Sequence, residues 1–493
     1  MKSLKKNFAY NLIYEILKLL IPFITIPYVS RTIGADGIGV YSFTYSIVTY
    51  YLIAARFGTD IFGRREISYY RDDVTERSRV FWEVFLFRLF SSVLCLGVYL
   101  VHVFLFTEAH REIYLILVLV LVDNIADVTW FYQGLEEFGF VVRRNLIIKL
   151  LGLAYIFLFV KSPDDLSIYI FGLMLCQLLG NLALWLRVPR DVVRVSLGKL
   201  HMFGHFGEML SLFLPGIAMS IYTVFDKTMI GLICEGSAEN GYYEQAYKTV
   251  LIILTIVKTL GTVGNPRISY YYGRGETDRI REMMMKSYRV VCLISIPMCL
   301  GLIGISESFV PWFYGPGFES VVMLLNISAF IIVAVGISNI TGIQYMVPTK
   351  KQGVFTGSIL VGAAVNFVLN LFFIRRWGAA GAMIASVISE SVISLVQLYM
   401  VRREFSFVKI MVGSVKYWIA GLVMLAVVKL EGMWMPASMA RTAVGTAVMV
   451  VSGGIVYFGG LFVLRDALCM DYGRVVVNRV QRVFLKNENP SDK

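Results

Sequence analysis

Gly39-Val40-Tyr41-Ser42-Phe43-Thr44-Tyr45 returns about 200 positions later as Gly241-Tyr242-Tyr243-Glu244-Gln245-Ala246-Tyr247, and Ile67-Ser68-Tyr69-Tyr70 returns as Ile268-Ser269-Tyr270-Tyr271. The second pair follows the first in the same order with a one-residue slip, which marks a duplicated unit rather than a chance match in a tyrosine-rich chain. Each copy runs from the end of one apolar segment through the next into a basic loop. The repeated unit is therefore a bundle of membrane helices, and paired bundles flanking a central site are a common transporter plan.

Composition agrees. The chain has 493 residues, 57% hydrophobic and 16% charged, too apolar and too sparsely charged to cover a water-facing surface. Apolar runs near 20 residues place spans at roughly 7–30, 38–62, 80–106, 113–133, 145–161, 167–187, 207–233, 243–265, 288–306, 320–343, 354–374, 380–401, 412–429 and 442–464. The expected fold is all-α and integral to the membrane, with about 14 transmembrane helices. An N-lobe over 1–200 holds helices 1–6, a C-lobe over 201–405 holds helices 7–12, and 406–493 holds helices 13–14 and a basic tail. The two six-helix lobes are expected to be pseudo-symmetric, related by rotation about an axis along the membrane normal.

Lysine and arginine set the orientation. Segments sharing a side with the N-terminus carry Lys2, Lys5, Lys6, Arg64, Arg65, Arg143, Arg144, Arg267, Arg274, Lys350, Lys351, Arg402 and Arg403, while the opposite loops hold scattered cations such as Arg111, Lys161, Arg375 and Arg376. Both termini are expected in the cytoplasm. The net charge of +12 then reads as topology and attraction to anionic lipid, and calls for no nucleic-acid partner. The N-terminus lacks the short apolar core and small-residue cleavage site of a secretory signal. Five of the six cysteines fall in or beside spans, so no disulfide framework is expected.

The loops are short, which argues against a membrane polymerase or ligase, whose acceptor needs an extramembrane region. Gly34-Ala35-Asp36-Gly37-Ile38-Gly39 imitates a dinucleotide loop but joins two spans with no preceding strand, so it reads as a turn. His201 and His205 share a helical face without a third ligand, and Asp72-Asp73 and Asp164-Asp165 read as solvated loop carboxylates. No nucleophile stands beside a base and an orienting acid. No catalytic residue, metal or cofactor is expected.

Charge inside the membrane is the stronger signal, because an ion at mid-bilayer costs at least about 2.5–3.5 kcal/mol and usually faces a bundle interior or a wet cavity. Glu15, Lys18, Arg56, Asp60, Arg88, Asp123, Asp127, Asp226, Lys227, Glu244, Lys248, Lys258 and Glu390 all fall in spans. Carrying the Tyr45/Tyr247 match eleven residues onward pairs Arg56 with Lys258, each close to three helical turns from its tyrosine and so on the same face. Two cations at equivalent depths would converge near the pseudo-twofold axis, an arrangement that suits an anionic visitor. Two snorkelling cations on unrelated faces are the plainer reading beside it.

Ser30-Arg31-Thr32-Ile33-Gly34, Gly39-Val40-Tyr41, Phe57-Gly58 and Arg65-Glu66-Ile67-Ser68, with Asp226-Lys227-Thr228-Met229-Ile230-Gly231, Gly241-Tyr242-Tyr243 and Tyr247, resemble the Wzx-type oligosaccharide flippases of the multidrug/oligosaccharidyl-lipid/polysaccharide superfamily. The resemblance covers nearly the whole chain. It implies two six-helix lobes in a V around a central cavity, with helices 13 and 14 added, a pair shared with the lipid II flippase MurJ. It implies a polyprenyl-diphosphate-linked oligosaccharide as substrate, flipped between leaflets by alternating access for O-antigen, capsule or exopolysaccharide assembly. A bacterial inner membrane location follows, with membrane lipids, a polysaccharide polymerase and assembly proteins as partners.

Such a cavity would use Lys18, Arg31, Arg56, Arg88, Lys227, Lys248 and Lys258 to screen the diphosphate. Tyr41, Tyr45, Tyr243 and Tyr247 would stack on sugar, although tyrosines at span ends are also ordinary interface anchors. Asp60, Asp127, Asp226 and Glu390 are candidate ion-coupling acids. The alternatives are a MurJ-like lipid II flippase and a drug or cation exporter of the same fold, although an exporter pocket would be expected to be acidic and aromatic rather than basic.

Overall fold

The structure is a computed structural model. It describes residues 21–196, 198–213, 224–259, 264–406, 408–436 and 438–470 in full, and 4–20, 197, 214–223, 260–262, 407 and 437 by backbone course alone. Among these the regular elements are all helical. In chain order they are α1 (Leu4–Arg56), α2 (Thr59–Tyr69), α3 (Val74–Phe106), α4 (Arg111–Ala126), α5 (Thr129–Gly134), α6 (Phe138–Phe159), α7 (Leu166–Trp185), α8 (Val188–Asp191), α9 (Phe206–Ile233), α10 (Ala238–Thr262), α11 (Asn265–Gly273), α12 (Thr277–Phe313), α13 (Ser320–Ser338), a π-helical turn (Asn339–Met346), α14 (Gln352–Met400), α15 (Phe407–Trp434), α16 (Ala437–Ala440) and α17 (Ala443–Val463). Among the described residues, nine helical stretches are long and apolar enough to cross a membrane. The chain is a multi-pass membrane protein.

The order of elements repeats, and local chemistry shows why. Both very long helices are broken at a glycine whose backbone other residues adopt poorly: Gly34 in α1 (φ 75°, ψ 175°) and Gly378 in α14 (φ 53°, ψ −132°). After its second half α1 stops at Phe57 and Gly58, both left-handed, and the short α2 follows. After α10 comes the similarly short α11. α11 contains the repeated Ile-Ser-Tyr-Tyr run, and α2 ends within it at Tyr69. A long helix is next in each copy, α3 and α12, the first capped by Asp73, whose carboxylate accepts from Thr75 N at 2.9 Å and Glu76 N at 3.1 Å. Then comes a helix with an interruption: α4 unwinds over 127–128 before α5, and α13 passes into the π turn. Broken or irregular helices are the usual sign of a functional region inside a membrane bundle.

Contacts divide the chain into two compact units, the first comprising Met1–Gln245, Tyr314–Gly317 and Phe367–Ala382 and the second the remainder. The first is built on two apolar cores. One joins Phe62, Ile67, Phe81, Val84, Trp130, Phe131 and Leu184 across α2, α3, α5 and α7. The other joins Val48, Leu52, Tyr99, Val103, Leu117 and Leu121 across α1, α3 and α4. Outward-facing apolar residues of α3, such as Val93, Leu94, Val98, Val101 and Leu105, are more than half exposed, as lipid-facing side chains must be.

The two copies of the repeated glycine motif meet inside this first unit. A methyl group placed on Gly39 would lie 1.7 Å from the Ser237 carbonyl oxygen, and one on Gly241 would lie 2.0 Å from that of Ala35. Where lipid tails are as apolar as leucine, helices associate by close backbone approach, and only glycine permits this one. In the second unit, α12, α15 and α17 pack together through side chains set against small residues and through hydrogen bonds. Gly453 sits against Val428 and Met424, Gly421 against Leu300, Tyr457 donates to the Leu293 carbonyl at 2.9 Å, and Trp312 donates to the Thr446 hydroxyl at 2.7 Å.

Gly39→Leu or Gly241→Leu should lower stability by about 1–3 kcal/mol, because the atoms in the way are backbone and cannot rotate aside. Thermal unfolding of the purified variants checks this, with Gly454→Leu, where a Cβ meets nothing within 4 Å, as the neutral control.

Candidate translocation site

Arg56 is the last residue of α1, and the left-handed pair after it turns the chain so that Asp60 enters the first turn of α2. The Arg56 Nε then lies 3.7 Å from the Asp60 carboxylate. Arg88, one turn-rich helix away on α3, is fully buried. It donates to Asp60 Oδ1 at 2.6 Å, to the Asn124 main-chain carbonyl at 2.7 Å and to Asn124 Oδ1 at 2.7 Å, with Asp127 at 3.7 Å.

The break in α4 makes this possible. The helical ladder ends with the Asp127 N–H on the Asp123 carbonyl, so the Asn124 carbonyl is the first left over, and an unsatisfied carbonyl in lipid is costly. Arg88 fills it. Asn124 Oδ1 also accepts from Arg56 Nε at 3.3 Å, and Asn124 Nδ2 donates to the Ser92 hydroxyl at 2.9 Å.

The network extends across the break. Asp127 accepts from the Thr129 N–H at 2.8 Å, Arg144 of α6 donates to the Thr129 hydroxyl at 2.8 Å and to Asn181 Oδ1 at 2.7 Å, and Asn181 Nδ2 donates to Asp123 at 2.6 Å. Arg56, Arg88 and Arg144 thus share one connected network with Asp60, Asp123 and Asp127. Of the cations, Arg88 is enclosed, whereas the Arg56 side chain keeps 46% exposure.

A second polar group lies where the later half of α1 crosses α9 and α10. Lys227 pairs with Glu244 at 2.6 Å. The Ser42 hydroxyl lies 3.2 Å from both Asn240 Oδ1 and Glu244 Oε2, and Asn240 Nδ2 donates to the Lys227 carbonyl at 2.6 Å. The Tyr243 hydroxyl donates to Asp226 at 2.5 Å, and Asn370 Nδ2 donates to the other Asp226 oxygen at 2.6 Å. Thr228 meets Ser46 and Tyr50, each at 2.9 Å. Glu239 accepts the Ala379 N–H at 2.7 Å, beside the Gly378 break.

The remaining sequence-nominated residues are placed as follows. Tyr41 and Tyr45 are half-buried, with ring centroids 5.4 Å apart, and Tyr41 packs edge-on to Tyr169 at 5.9 Å. Tyr243 is buried. Arg31 is exposed, with its stem against Gly315. In the second unit Lys258 is exposed, while Tyr247, Lys248 and Glu390 are half-buried. The side chain of Lys18 lies outside the described residues. Charge-based reading passed over Asn124, Asn181, Ser42, Asn240 and Asn370. Uncharged amides in apolar spans were the available signal, since a buried amide also needs partners.

The first family comparison concerns the part of the chain that carries the first network and most of the second. Residues 4–272, more than half of the chain, match the family described as "Polysaccharide biosynthesis protein". The chain belongs to that family. Within this polysaccharide biosynthesis family it also resembles a neighbouring one, since residues 153–453 match "Lipid II flippase MurJ". It is similar to the "Putative O-antigen transporter" of Escherichia coli K12, 22% identical over 416 residues, covering 82% of this chain and 97% of the relative. It is also similar to the "Probable low-salt glycan biosynthesis flippase Agl15" of Haloferax volcanii, 22% identical over 287 residues, covering 57% and 58%. In fold it resembles the lipid II flippase MurJ in an inward closed conformation, with a TM-score of 0.72 at 16% identity over 94% of this chain and 99% of that one.

For this member of the polysaccharide biosynthesis family, the two arginines of the first network have different physical standing. Removing Arg88 leaves Asp60 and Asp127 without their shared counter-ion and the Asn124 carbonyl without its donor, a loss of about 3–5 kcal/mol for a broken buried pair. Arg56 is half-exposed and its pairs are long. Arg88→Ala should therefore reduce folded protein in the membrane sharply while Arg56→Ala leaves it near wild type, as read by fluorescence-detected size-exclusion chromatography after heating.

Proposed function

We propose that this protein is a flippase that moves a polyprenyl-diphosphate-linked oligosaccharide from the cytoplasmic to the outer leaflet by alternating access, for surface polysaccharide assembly. The match of residues 4–272 to the polysaccharide biosynthesis family carries the reading, and the names of its relatives support it. The chemistry is consistent. A sugar head and a diphosphate cannot cross about 30 Å of hydrocarbon unaided, while the prenyl tail can stay in lipid. Translocation makes and breaks no bond, so the protein must supply only a polar, cationic passage.

The layout follows. Splitting α1 at Gly34 and α14 at Gly378, and adding α6, α9 and α10 to the other spans, supports fourteen crossings in lobes over 1–200 and 201–405 with two further helices beyond. Under the positive-inside rule both termini are cytoplasmic, in the inner membrane. The crossing at Gly39 and Gly241 then lies toward the outer leaflet, and its hydrogen bonds and the Lys227–Glu244 pair form an outer closure that opening must break. Arg56 and Lys258, each exposed and at equivalent points of the repeat, are the cations that meet the diphosphate, with Lys18, Arg31 and Lys248 adding to the field. Lys227 and Arg88 act from within their ion pairs. Tyr41, Tyr45 and Tyr247 face sugar, and Tyr243 does so once released from Asp226. Asp226 is the favoured coupling acid, with Asp60, Asp127 and Glu390 as further candidates. Helices 13 and 14 brace the second unit and offer a surface to the prenyl tail.

A lipid II flippase is the second reading, favoured by the match over 153–453. Both readings share the polyprenyl diphosphate and differ in the sugar. Deleting the gene should accumulate a surface-polysaccharide intermediate on the cytoplasmic leaflet, extractable and identifiable by mass spectrometry; accumulation of lipid II would select the second reading, and neither would overturn both.

Arg56→Ala and Lys258→Ala should each impair export with the protein inserted and abundant, and wild-type export in the double variant would remove these residues from the passage. Truncation after Arg403 exposes the faces of α12 that α15 and α17 cover, so melting temperature should fall; unchanged stability and transport together would contradict the bracing role.

A further inference from the structure

α6 and α7 are antiparallel neighbours, yet their lipid-facing side is not flat. A cavity of about 470 Å³ opens between them, lined by Phe140, Ile147, Leu151, Cys176, Leu179 and Ala183, with Arg143 and Arg144 among the lining residues. The arginines fall in the first two turns of α6, level with the last turns of α7, and the walls running inward from them are apolar. Arg143 is exposed, with its Nε on the Gly139 carbonyl at 3.1 Å, while Arg144 reaches inward to Thr129 and Asn181. The groove is therefore amphipathic along its length, cationic at the membrane surface and apolar below, and its volume is that of a ligand site.

We propose that this groove is a binding site for an anionic glycerophospholipid, its phosphate at Arg143 and Arg144 and one acyl chain along Ile147, Leu151 and Leu179. Charge complementarity selects an anionic headgroup over a zwitterionic one, since a basic residue at a membrane surface favours acidic lipid. Packing selects a resident lipid over the transported one. The seam between α6 and α7 is closed: a methyl group on Gly180 would lie 1.5 Å from the Ile148 side chain, and one on Gly172 would lie 1.8 Å from the Tyr155 ring. A sugar head held in this groove has no path between these helices to Arg56, so the occupant stays in place. The site is also wired to the first polar network, because Arg144 bonds both Thr129, which flanks the break in α4, and Asn181, which holds Asp123. An anion at the groove mouth thus bears on the element that orients Arg88 and Arg56.

The test reads lipid binding and is independent of transport, so it stands or falls apart from the flippase reading. Full-length protein is reconstituted in nanodiscs of phosphatidylcholine with one quarter phosphatidylglycerol, and retained lipid is counted by native mass spectrometry after release. Wild type should retain phosphatidylglycerol in preference to phosphatidylcholine. Arg143→Gln should reduce that retention about fivefold, and Leu179→Trp, which fills the groove with the charge intact, should reduce it comparably, with unchanged melting in phosphatidylcholine alone showing that both variants fold. Equal retention of the two lipids, or retention unaltered in both variants, would overturn the proposal. So would one-for-one displacement of phosphatidylglycerol by added polyprenyl phosphate, which would make the groove a substrate site.

Discussion

A charge or an open carbonyl within a bilayer has no water to turn to, and the first network of this protein is organised by that constraint. The interruption of α4 at 127–128 leaves the Asn124 carbonyl without its helical partner, and the buried guanidinium of Arg88 answers it. The remaining donors of Arg88 then reach Asp60 and the Asn124 amide oxygen. From these contacts the positions of Arg56, Asp127, Thr129 and, through Asn181, Arg144 follow. The same contacts leave a fully satisfied buried arginine, Arg88, next to a half-exposed one, Arg56.

The crossing of α1 with α9 and α10 obeys the same rule with a different balance. Lys227, Glu244, Asn240 and Ser42 close a polar ring around two glycines that let the backbones touch. Hydrogen bonds and ion pairs of this kind can exchange their partners for water. Asp226, held by Tyr243 and Asn370, ties this crossing to the part of α14 that precedes the Gly378 break.

The groove between α6 and α7 extends the network to the lipid surface. Its two arginines are adjacent in sequence but face different solvents, one the headgroup layer and the other the protein interior. That division lets the composition of the surrounding membrane act on a site several helices away.

Sequence alone determined the membrane class, the repeated sequence runs and most of the charged residues, because hydropathy, repeated glycines and membrane-embedded charges are properties of single positions or short runs. The break at Gly34 was legible as a turn for the same reason. What each charge does was decided by the tertiary structure. Arg88 and Arg56 look alike as isolated cations in apolar spans, and only the meeting of α1, α3 and α4 encloses one and leaves the other half-exposed, since burial depends on neighbours 28–68 positions away. Tyr243 and Tyr41 occupy matching places in the repeat, yet one is spent on Asp226 and the other packs edge-on to Tyr169, because helix rotation within a bundle is fixed by packing. Asn124, Asn181 and Asn370 were invisible to a search for charge and became evident only when the carboxylates and carbonyls they satisfy were brought within hydrogen-bond reach.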